Sequence, residues 1–496
     1  MKNRYTKLMF TAMGMILGMF LIAQERVVVV EPHDTLNLNE FILADTTADG
    51  NWVDTVNTVY ELKRNSVYRV SKQIDVRGTK LHIRGQEGEG QKPVIMQRIR
   101  EDGKFNKLLY TRGDAIIENV RLTAEEQGLN YSWNAIRLLG EGSDVIIRNC
   151  IIEKQGGAVA ALYGENVSVT IDRCEVRYLG QPTRVTGNGR VIDGRKSSRY
   201  VKVVDSYFYN VMATLFSGWG QEHKYVEFDH NTFVNMAGQN RLFQFNRIVD
   251  SVKVTNNIFM NSFFSGDYPA KMPDDKAADA SHGDHPGTLA YFFAYDSLPT
   301  DKNQWQISNN NIFYTENFAD SVATYPDTVV MPPVLSPNFA EWLGDAAADV
   351  YFEEVLDFPS TPETPTWVWK NFYNDPDLTE HGYFVPAHPL ADDPNWYKFD
   401  PNSIDLSYLD RNISASAGTD GGPIGSRLFE PRSTVGVETS KDQLAVNTYP
   451  NPARGYVTFR FSDRMNGPGK IEIYSVTGQL LEETPVDPYT KEVRVD

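Results

Sequence analysis

A short pattern of alternating apolar and polar residues recurs along the middle of the chain, between residues 115 and 315. Its copies lie at residues 115–122, 145–152, 169–176, 201–208, 226–233, 252–259 and 305–313, the last with one extra residue. In each copy the first, third and eighth positions are apolar with few exceptions, which is typical of a β-strand followed by a turn that returns the chain inward. The sixth positions of the first six copies are 24 to 32 residues apart, a period that indicates stacked repeats.

A second apolar segment precedes most of these copies. These segments are Ile136–Leu138, Ala160–Leu162, Ile192–Gly194, Leu215–Phe216 and Phe243–Phe245. Two or three strands per repeat, with corners between them, describe one coil of a parallel β-helix, in which each coil hydrogen-bonds to the next at about 4.8 Å. We therefore predict an all-β fold, a right-handed parallel β-helix, in which inward side chains stack on their counterparts in neighbouring coils.

The sixth position of the pattern predicts a ladder of side chains at one corner of the coils. It is occupied by Val120, Cys150, Cys174, Ser206, Asn231 and Asn257. A small or amide side chain at such a corner can hydrogen-bond to its equivalent in the next coil and satisfy buried backbone there. The two cysteines are the only ones in the chain, and we expect stacked free thiols in the core, with a disulfide as the alternative.

The segments on either side of the repeats extend this interpretation. Ile83-Arg-Gly85 followed by Lys92-Pro-Val-Ile95 resembles the opening coils of pectate-lyase-like β-helix proteins, and residues 415–425 are similar to the closing segment of such proteins from the Bacteroidetes group. The resemblance implies a β-helix over residues 24–430, with a cap at residues 25–60 and a C-terminal packing segment. It implies no activity, because the catalytic motifs of pectate lyases, polygalacturonases and alginate or chondroitin lyases are not recognised.

The start of the chain predicts export. Three cationic residues precede an uncharged, mostly apolar run from Leu8 to Ile22, so we interpret residues 1–23 as a signal peptide. The formal charge of −17 argues against a nucleic-acid partner, because a polyanion would be repelled. We expect a monomer that is secreted or held at the outer cell surface after passage through the periplasm.

The end of the chain carries the most specific motif. Residues 431–444 are polar and read as a linker, and residues 445–496 follow as a separate domain. Its Tyr449-Pro-Asn-Pro-Ala453 start and its Ile473-Tyr-Ser-Val-Thr-Gly478 hairpin resemble the C-terminal sorting domain of type IX secretion substrates. The resemblance implies a small β-sandwich and the type IX secretion machinery as a partner. Since the family's last strands are not recognised after Val495, we expect a truncated domain.

The candidate functional residues occupy the outward positions of the second apolar segment in each repeat. Glycan-active β-helices bind the polymer along one outer sheet, so we expect substrate contacts from Arg137, Tyr163, Trp219, Gln244 and Asn246. Asp193, Arg195 and Lys196 are the candidate catalytic residues, because β-elimination from a uronate needs a cation and a base of lowered pKa. The alternative for Asp193 and Arg195 is an exposed ion pair between coils. The insertion at residues 181–190 is expected to form a loop wall beside them.

No metal site is assigned. Asp274-Asp275 and Asp375-Pro-Asp377 supply oxygen ligands and leave Ca²⁺ open, but solvated loops are the simpler interpretation. The same holds for His282 and His285 with Asp279. Two functions remain: a protein that interacts with polysaccharide, as a β-eliminating lyase or as a binder, and a non-catalytic surface adhesin or structural β-helix.

Overall fold

Three long, all-parallel sheets, here named A, B and C, form the body of the protein. The structure is a computed structural model that describes residues 25–33, 36–47, 49, 51, 57–77, 80–98, 107–124, 132–180, 188–236, 241–245, 247–262, 288–292, 304–318, 334–335, 337–362, 404–433, 446–449, 457–461, 469–474, 480–487, 490 and 492–495. The predicted signal peptide lies outside the described residues.

Strands that follow one another along the chain belong to different sheets, so that each coil contributes strands to sheets A, B and C. Sheet A contains β1 (Arg26–Val30), β2 (Thr58–Leu62), β5 (Leu81–Gly85), β8 (Ala115–Glu118), β11 (Asp144–Arg148), β14 (Val167–Asp172), β17 (Ser198–Val204), β20 (His223–Asp229), β23 (Ile248–Thr255) and β26 (Trp305–Ser308). Sheet B contains β4 (Ile74–Val76), β7 (Leu109–Thr111), β10 (Ser132–Leu138), β13 (Gln155–Leu162), β16 (Arg190–Asp193), β19 (Phe216–Ser217), β22 (Arg241–Phe245) and β25 (Thr288–Phe292). Sheet C contains β3 (Val67–Val70), β6 (Val94–Gln97), β9 (Arg121–Ala124), β12 (Ile151–Glu153), β15 (Glu175–Leu179), β18 (Tyr207–Val211), β21 (Thr232–Met236), β24 (Ile258–Met260), β27 (Asn310–Phe313) and β28 (Tyr351–Phe352).

The repeats pair directly over one another, which confirms the predicted parallel β-helix. The first positions of successive copies, Val145, Val169, Val201, Val226 and Val252, are register partners from one strand of sheet A to the next. Trp305 continues this column as the partner of Val252, and Ile312 continues the eighth-position column as the partner of Phe259. The seventh copy therefore has no extra residue, and that detail of the prediction was wrong.

Inward side chains stack from coil to coil. The rings of Phe208 and Phe233 lie 4.9 Å apart and those of Phe233 and Phe259 lie 4.8 Å apart, both centroid to centroid and both stacked. These distances match the spacing of hydrogen-bonded strands. All three rings are buried, and each contributes about 1.5–3 kcal/mol through removal of its apolar surface from water.

The sixth-position corner forms the predicted ladder. The backbone N–H of Cys174 donates to Ser206 Oγ at 3.0 Å, that of Ser206 to Asn231 Oδ1 at 3.0 Å, and that of Asn231 to Asn257 Oδ1 at 3.0 Å. The residues one position earlier adopt the left-handed conformation in every copy: Asn119, Asn149, Arg173, Asp205, His230, Asn256 and Asn309. This conformation turns the chain sharply, and asparagine tolerates it better than most residues.

A further left-handed corner lies at or just after the C-terminal ends of the strands of sheet C and was not predicted. It consists of Lys154, Tyr178, Asn210, Asn235 and Asn261. The Nδ2 of Asn235 donates to Asn210 Oδ1 at 3.2 Å, so amide groups also connect neighbouring coils here.

Short helices pack at both ends of the core. Helix α1 (Leu38–Leu43) contacts β3 and β4 and contributes buried Leu38 and Ile42. Helix α2 (Pro337–Leu343), followed by a 3₁₀ turn at Gly344–Asp349, places Trp342 edge-on to Trp305 at a centroid distance of 5.1 Å. Such covers are needed because an open terminal coil would expose an apolar edge.

The segment at residues 404–432, which includes a 3₁₀ turn at Ile413–Ala415, packs back along the sixth-position corner. Ala417 O accepts from Asn309 Nδ2 at 2.8 Å, and the Thr419 N–H donates to Asn256 Oδ1 at 2.9 Å. Ser426 continues the contacts two coils back, since its Oγ donates to Asp205 O at 2.9 Å. The return of the closing segment along the stack thus agrees with what the resemblance implied.

The remaining described strands belong to a second compact unit, within residues 433–496. One antiparallel sheet has the order β29 (Val446–Tyr449), β30 (Val457–Phe461), β33 (Glu492–Val495), and the other pairs β31 (Gly469–Tyr474) with β32 (Leu480–Val486). A small β-sandwich was expected for this region, and small antiparallel sheets are what the structure shows here. In the described part of the chain, neither helix has the length and apolar character needed to cross a membrane.

Candidate binding face on sheet B

The outward positions of sheet B form a column along the β-helix. Pairing in register places Arg137 beside Ala161, Ala161 beside Asp193, Asp193 beside Ser217, and Ser217 beside Gln244. Ser217, which was not among the predicted contacts, is thus the member of this column contributed by β19. The Ser217 hydroxyl donates to Gln244 Oε1 at 2.7 Å, so the amide of Gln244 is held in one orientation.

A second column lies two residues further along each strand. If the register is continued past the strand ends, Tyr163, Arg195 and Trp219 occupy equivalent positions in three successive coils. Tyr163 and Trp219 are each 38% exposed, so both rings are in part accessible from solvent. Asn246, predicted to continue this column, lies outside the described residues.

Asp193 lies in the middle of the face and is hydrogen-bonded to two of its side chains. Its carboxylate accepts from Arg195 Nε at 3.1 Å and from the indole N–H of Trp219 at 2.5 Å, and Arg190 Nη1 lies 3.8 Å away. Asp193 is buried, and its partner Arg195 belongs to the same coil. The structure therefore differs from the exposed ion pair between coils that was considered as the alternative.

Trp219 has a strained backbone for a bulky residue. Its φ angle is 49°, and Gly220 follows with φ 69°. The guanidinium carbon of Arg195 lies 3.9 Å from the centre of the Trp219 ring, and that of Arg190 lies 5.0 Å from it. These contacts, with the hydrogen bond to Asp193, hold the ring on the outer face. Left-handed backbone at a large aromatic residue is a recurrent feature of functional sites.

His223 supports the turn beneath Trp219. Its Nε2 donates to the carbonyl of Gly218 at 3.1 Å, which leaves Nδ1 to accept from Ser198 Oγ at 2.7 Å. Burial lowers the pKa of His223 to about 4, so the ring is neutral at physiological pH. Gly194 is required beside it, because a Cβ there would lie 2.7 Å from the imidazole.

Arg137 forms a second stack of guanidinium on aromatic ring. Its Cζ lies 4.1 Å from the centre of the Tyr163 ring and 5.7 Å from that of Tyr110. Its Nη2 reaches Asn134 Oδ1 at 3.4 Å, and its buried Nε has no hydrogen-bond partner among the described residues. Most of the donor capacity of this guanidinium therefore remains for a ligand.

Lys196 does not join the Asp193 group. Its Nζ lies 2.9 Å from Glu165 Oε1, and the Lys196 side chain is 48% exposed. The Ser197 hydroxyl and the Lys196 ammonium lower the pKa of Glu165 to about 2, so the glutamate stays ionised. The burial that a lysine base would require is not provided at this position.

Some predictions about the face fall outside what the structure describes. These are the loop at residues 181–187, the histidines His282 and His285, and the aspartates proposed as Ca²⁺ ligands. In the described ranges, no group of three or more His, Cys, Asp or Glu side chains is placed to hold a metal ion. Cys150 and Cys174 are buried and free.

Tyr110, Arg190 and Ser217 belong to the face but were missed by sequence reasoning. Tyr110 pairs with Arg137, and extension of the second-strand column by one coil toward the N-terminus would have identified it. Arg190 had been assigned to the end of a loop, whereas it begins β16. Its proximity to Trp219 depends on contacts between coils that are not visible in the pattern.

Comparison with known proteins identifies the end of the chain. Residues 447–496 match the secretion system C-terminal sorting domain. This confirms the resemblance inferred from the Tyr-Pro-Asn-Pro-Ala and hairpin motifs. The protein is exported by type IX secretion and reaches the cell surface or the medium, so the secretion machinery is a partner of this domain. No curated protein matches the chain.

Proposed function

We propose that this exported protein binds polysaccharide along the outer face of sheet B. The observation that carries the proposal is the column of Tyr163, Arg195 and Trp219, in which partly exposed rings and guanidinium groups follow one another along the β-helix. Aromatic faces provide apolar surface for sugar rings, and fixed polar groups beside them provide orientation.

The repeat of the fold supports an elongated ligand. Successive coils present equivalent positions about 4.8 Å apart, which is close to the length of one sugar unit in an extended polymer. Ser217 and Gln244, both buried and hydrogen-bonded to each other, continue the polar strand positions beneath this face in the coil of Trp219 and the next. A polymer lying along the coils would therefore meet a new set of side chains at each unit.

The contacts favour binding over β-elimination. Asp193 already accepts hydrogen bonds from Arg195 and Trp219, and Lys196 is paired with Glu165. A lyase built on these residues would need one of them to act as the base that removes a proton from the sugar. Arg195 is a poor base, because guanidinium groups remain protonated at all physiological pH values.

The proposal is tested by binding of the purified full chain to a panel of acidic and neutral oligosaccharides, measured by isothermal titration calorimetry. Trp219→Ala should weaken binding by about tenfold, equivalent to roughly 1.4 kcal/mol. Tyr200→Ala is the matched control, since Tyr200 stacks on Tyr225 on sheet A and should leave affinity unchanged. Circular dichroism would verify that both variants are folded.

Two results would contradict the proposal. Absence of binding to every glycan of the panel would favour the adhesin or structural alternative, and equal losses for the sheet A and sheet B variants would place the ligand elsewhere. Ultraviolet absorbance of unsaturated products should stay constant during incubation with uronate polymers. An increase that Arg195→Ala abolishes would instead establish the lyase.

A further inference from the structure

We infer that the glycan bound by sheet B is anionic and carries its negative groups on every second sugar, where Arg137 and Arg195 receive them. This inference rests on the proposed function and specifies its substrate class. It is carried by two similar side-chain groups on the face, here named the Tyr163 stack (Arg137 on Tyr163) and the Trp219 stack (Arg195 on Trp219).

The first argument is charge. Among the described residues of the two stacks, the two guanidinium groups of Arg137 and Arg195 are accompanied by one carboxylate, that of Asp193, which contacts Arg195. The protein as a whole has a formal charge of −17, so a local positive excess stands out against the surrounding field. A cleft of opposite sign raises the local concentration of an anionic ligand and orients it on arrival.

The second argument is unused hydrogen-bonding capacity. Arg195 gives its Nε to Asp193, and neither of its Nη atoms has a hydrogen-bond partner among the described residues. Arg137 Nη2 makes only the 3.4 Å hydrogen bond to Asn134 Oδ1 among the described residues, so the other Nη donors of this guanidinium are available. The planar donor fork of arginine matches carboxylate or sulfate, and stacking on an aromatic ring restricts the orientation of that fork.

The third argument is spacing. Both guanidinium groups lie over rings of the same column, and Tyr163 and Trp219 are two coils apart in the continued register. Two steps of about 4.8 Å place the stacks roughly 10 Å apart, which corresponds to two sugar units. The guanidinium groups themselves come from coils two steps apart, those of β10 and β16, and the coil between them presents the uncharged Ala161 at the corresponding strand position, so it offers no cation to a further anion.

The experiment compares tetrasaccharides of equal length by calorimetry with the full chain. The first carries a carboxylate on every second sugar, as in desulfated chondroitin. The others are its carboxyl-reduced neutral form, a reduced form that keeps sulfate on every second sugar, and tetragalacturonate with a carboxylate on each unit. We expect the first or the third to bind at least tenfold more tightly than the neutral form, with affinity falling as salt increases.

Variants test the two arginines separately. Arg137→Gln and Arg195→Gln should each reduce affinity for the preferred anionic tetrasaccharide by about tenfold, and Arg137→Lys should recover only part of the loss, because lysine lacks the fork. Arg199→Gln removes the same charge from β17 of sheet A, where Arg199 is paired with Asp144, and should change affinity less than twofold.

The outcomes separate this inference from the proposed function. Preference for the carboxylate or for the sulfate tetrasaccharide, lost in both arginine variants, supports the inference and identifies the anion. Equal binding of the neutral form that remains sensitive to Trp219→Ala overturns it while the proposed function stands. Equal or tighter binding of tetragalacturonate overturns the alternation. If no tetrasaccharide binds, the inference is wrong, and the proposed function is wrong as well only if every glycan of the wider panel also fails to bind.

Discussion

Replacement of Asn257 by alanine should strongly destabilise the β-helix. The Asn257 side chain is buried and makes four hydrogen bonds: Nδ2 donates to Phe228 O at 2.9 Å and to Asn310 Oδ1 at 3.0 Å, and Oδ1 accepts from the backbone N–H and Nδ2 of Asn231 at 3.0 and 3.1 Å. After truncation, the Asn231 N–H would remain buried without an acceptor.

The expected magnitude follows from these contacts. An orphaned buried donor costs about 1–3 kcal/mol, and each remaining lost bond contributes a net amount near 1 kcal/mol or less. We expect Asn257→Ala to lower the free energy of unfolding by about 3–4 kcal/mol. Asn257→Ser should cost about half as much, because Ser206 shows that a hydroxyl at this position can accept the N–H of the preceding coil.

Urea unfolding followed by tryptophan fluorescence measures this loss. All eight tryptophans precede residue 433, so their signal reports on the β-helix unit and not on the C-terminal unit. Asn57→Ala is the control, because its side chain makes only an exposed 3.5 Å contact with Glu25 and should change stability by less than about 0.5 kcal/mol. Equal losses for alanine and serine at residue 257 would refute the reasoning, since the acceptor would then contribute nothing.

Further predictions concern buried groups elsewhere in the stack. His223 takes up a proton near pH 6.5 in the unfolded chain but only near pH 4 in the folded chain. The free energy of unfolding should therefore decrease by up to about 3 kcal/mol as the pH is lowered from 6.5 to 4. In His223→Asn, the free energy of unfolding measured over the same pH range should decrease less. Glu153→Gln should cost about 3–5 kcal/mol in urea unfolding, because the buried guanidinium groups of Arg121 and Arg177 each lose an ion pair, although Arg177 keeps its pair with Glu175. The more exposed pair of Glu61 with Arg84 is worth under about 1 kcal/mol, and similar losses for both glutamates would contradict this. Cys150 and Cys174 should react with a thiol reagent only after unfolding, when two thiols should be counted; none would indicate a disulfide, and rapid reaction in the folded state would contradict their burial.

Much of the candidate face was accessible from sequence because it repeats. Once Val145, Val169 and Val201 are recognised as equivalent, the outward side chains of the neighbouring strand follow by counting, and this led to Arg137, Asp193 and Gln244. Counting was less accurate where a coil contains a short strand. At β19 it missed Ser217, because the two-residue strand carries too little pattern to define its own register.

The sequence by itself determined the fold class and the export route. Each coil repeats the same short-range requirements, alternating apolar positions, a left-handed corner residue and a small or amide side chain, so the evidence accumulates over the copies. The sorting domain was recognisable for a similar reason, since its motifs are contiguous in the chain.

Only the tertiary structure decided which polar side chains satisfy one another. Asp193 accepts from Trp219, and Arg137 stacks on Tyr163, each pair being 26 residues apart in the chain and in neighbouring coils. Such partners depend on side-chain directions and on the path of the connecting turns, which differ from coil to coil. The physical reason is that the strand register is set by backbone hydrogen bonds that repeat in every coil. The partner of an individual charged side chain depends instead on which side chains of neighbouring coils lie within reach.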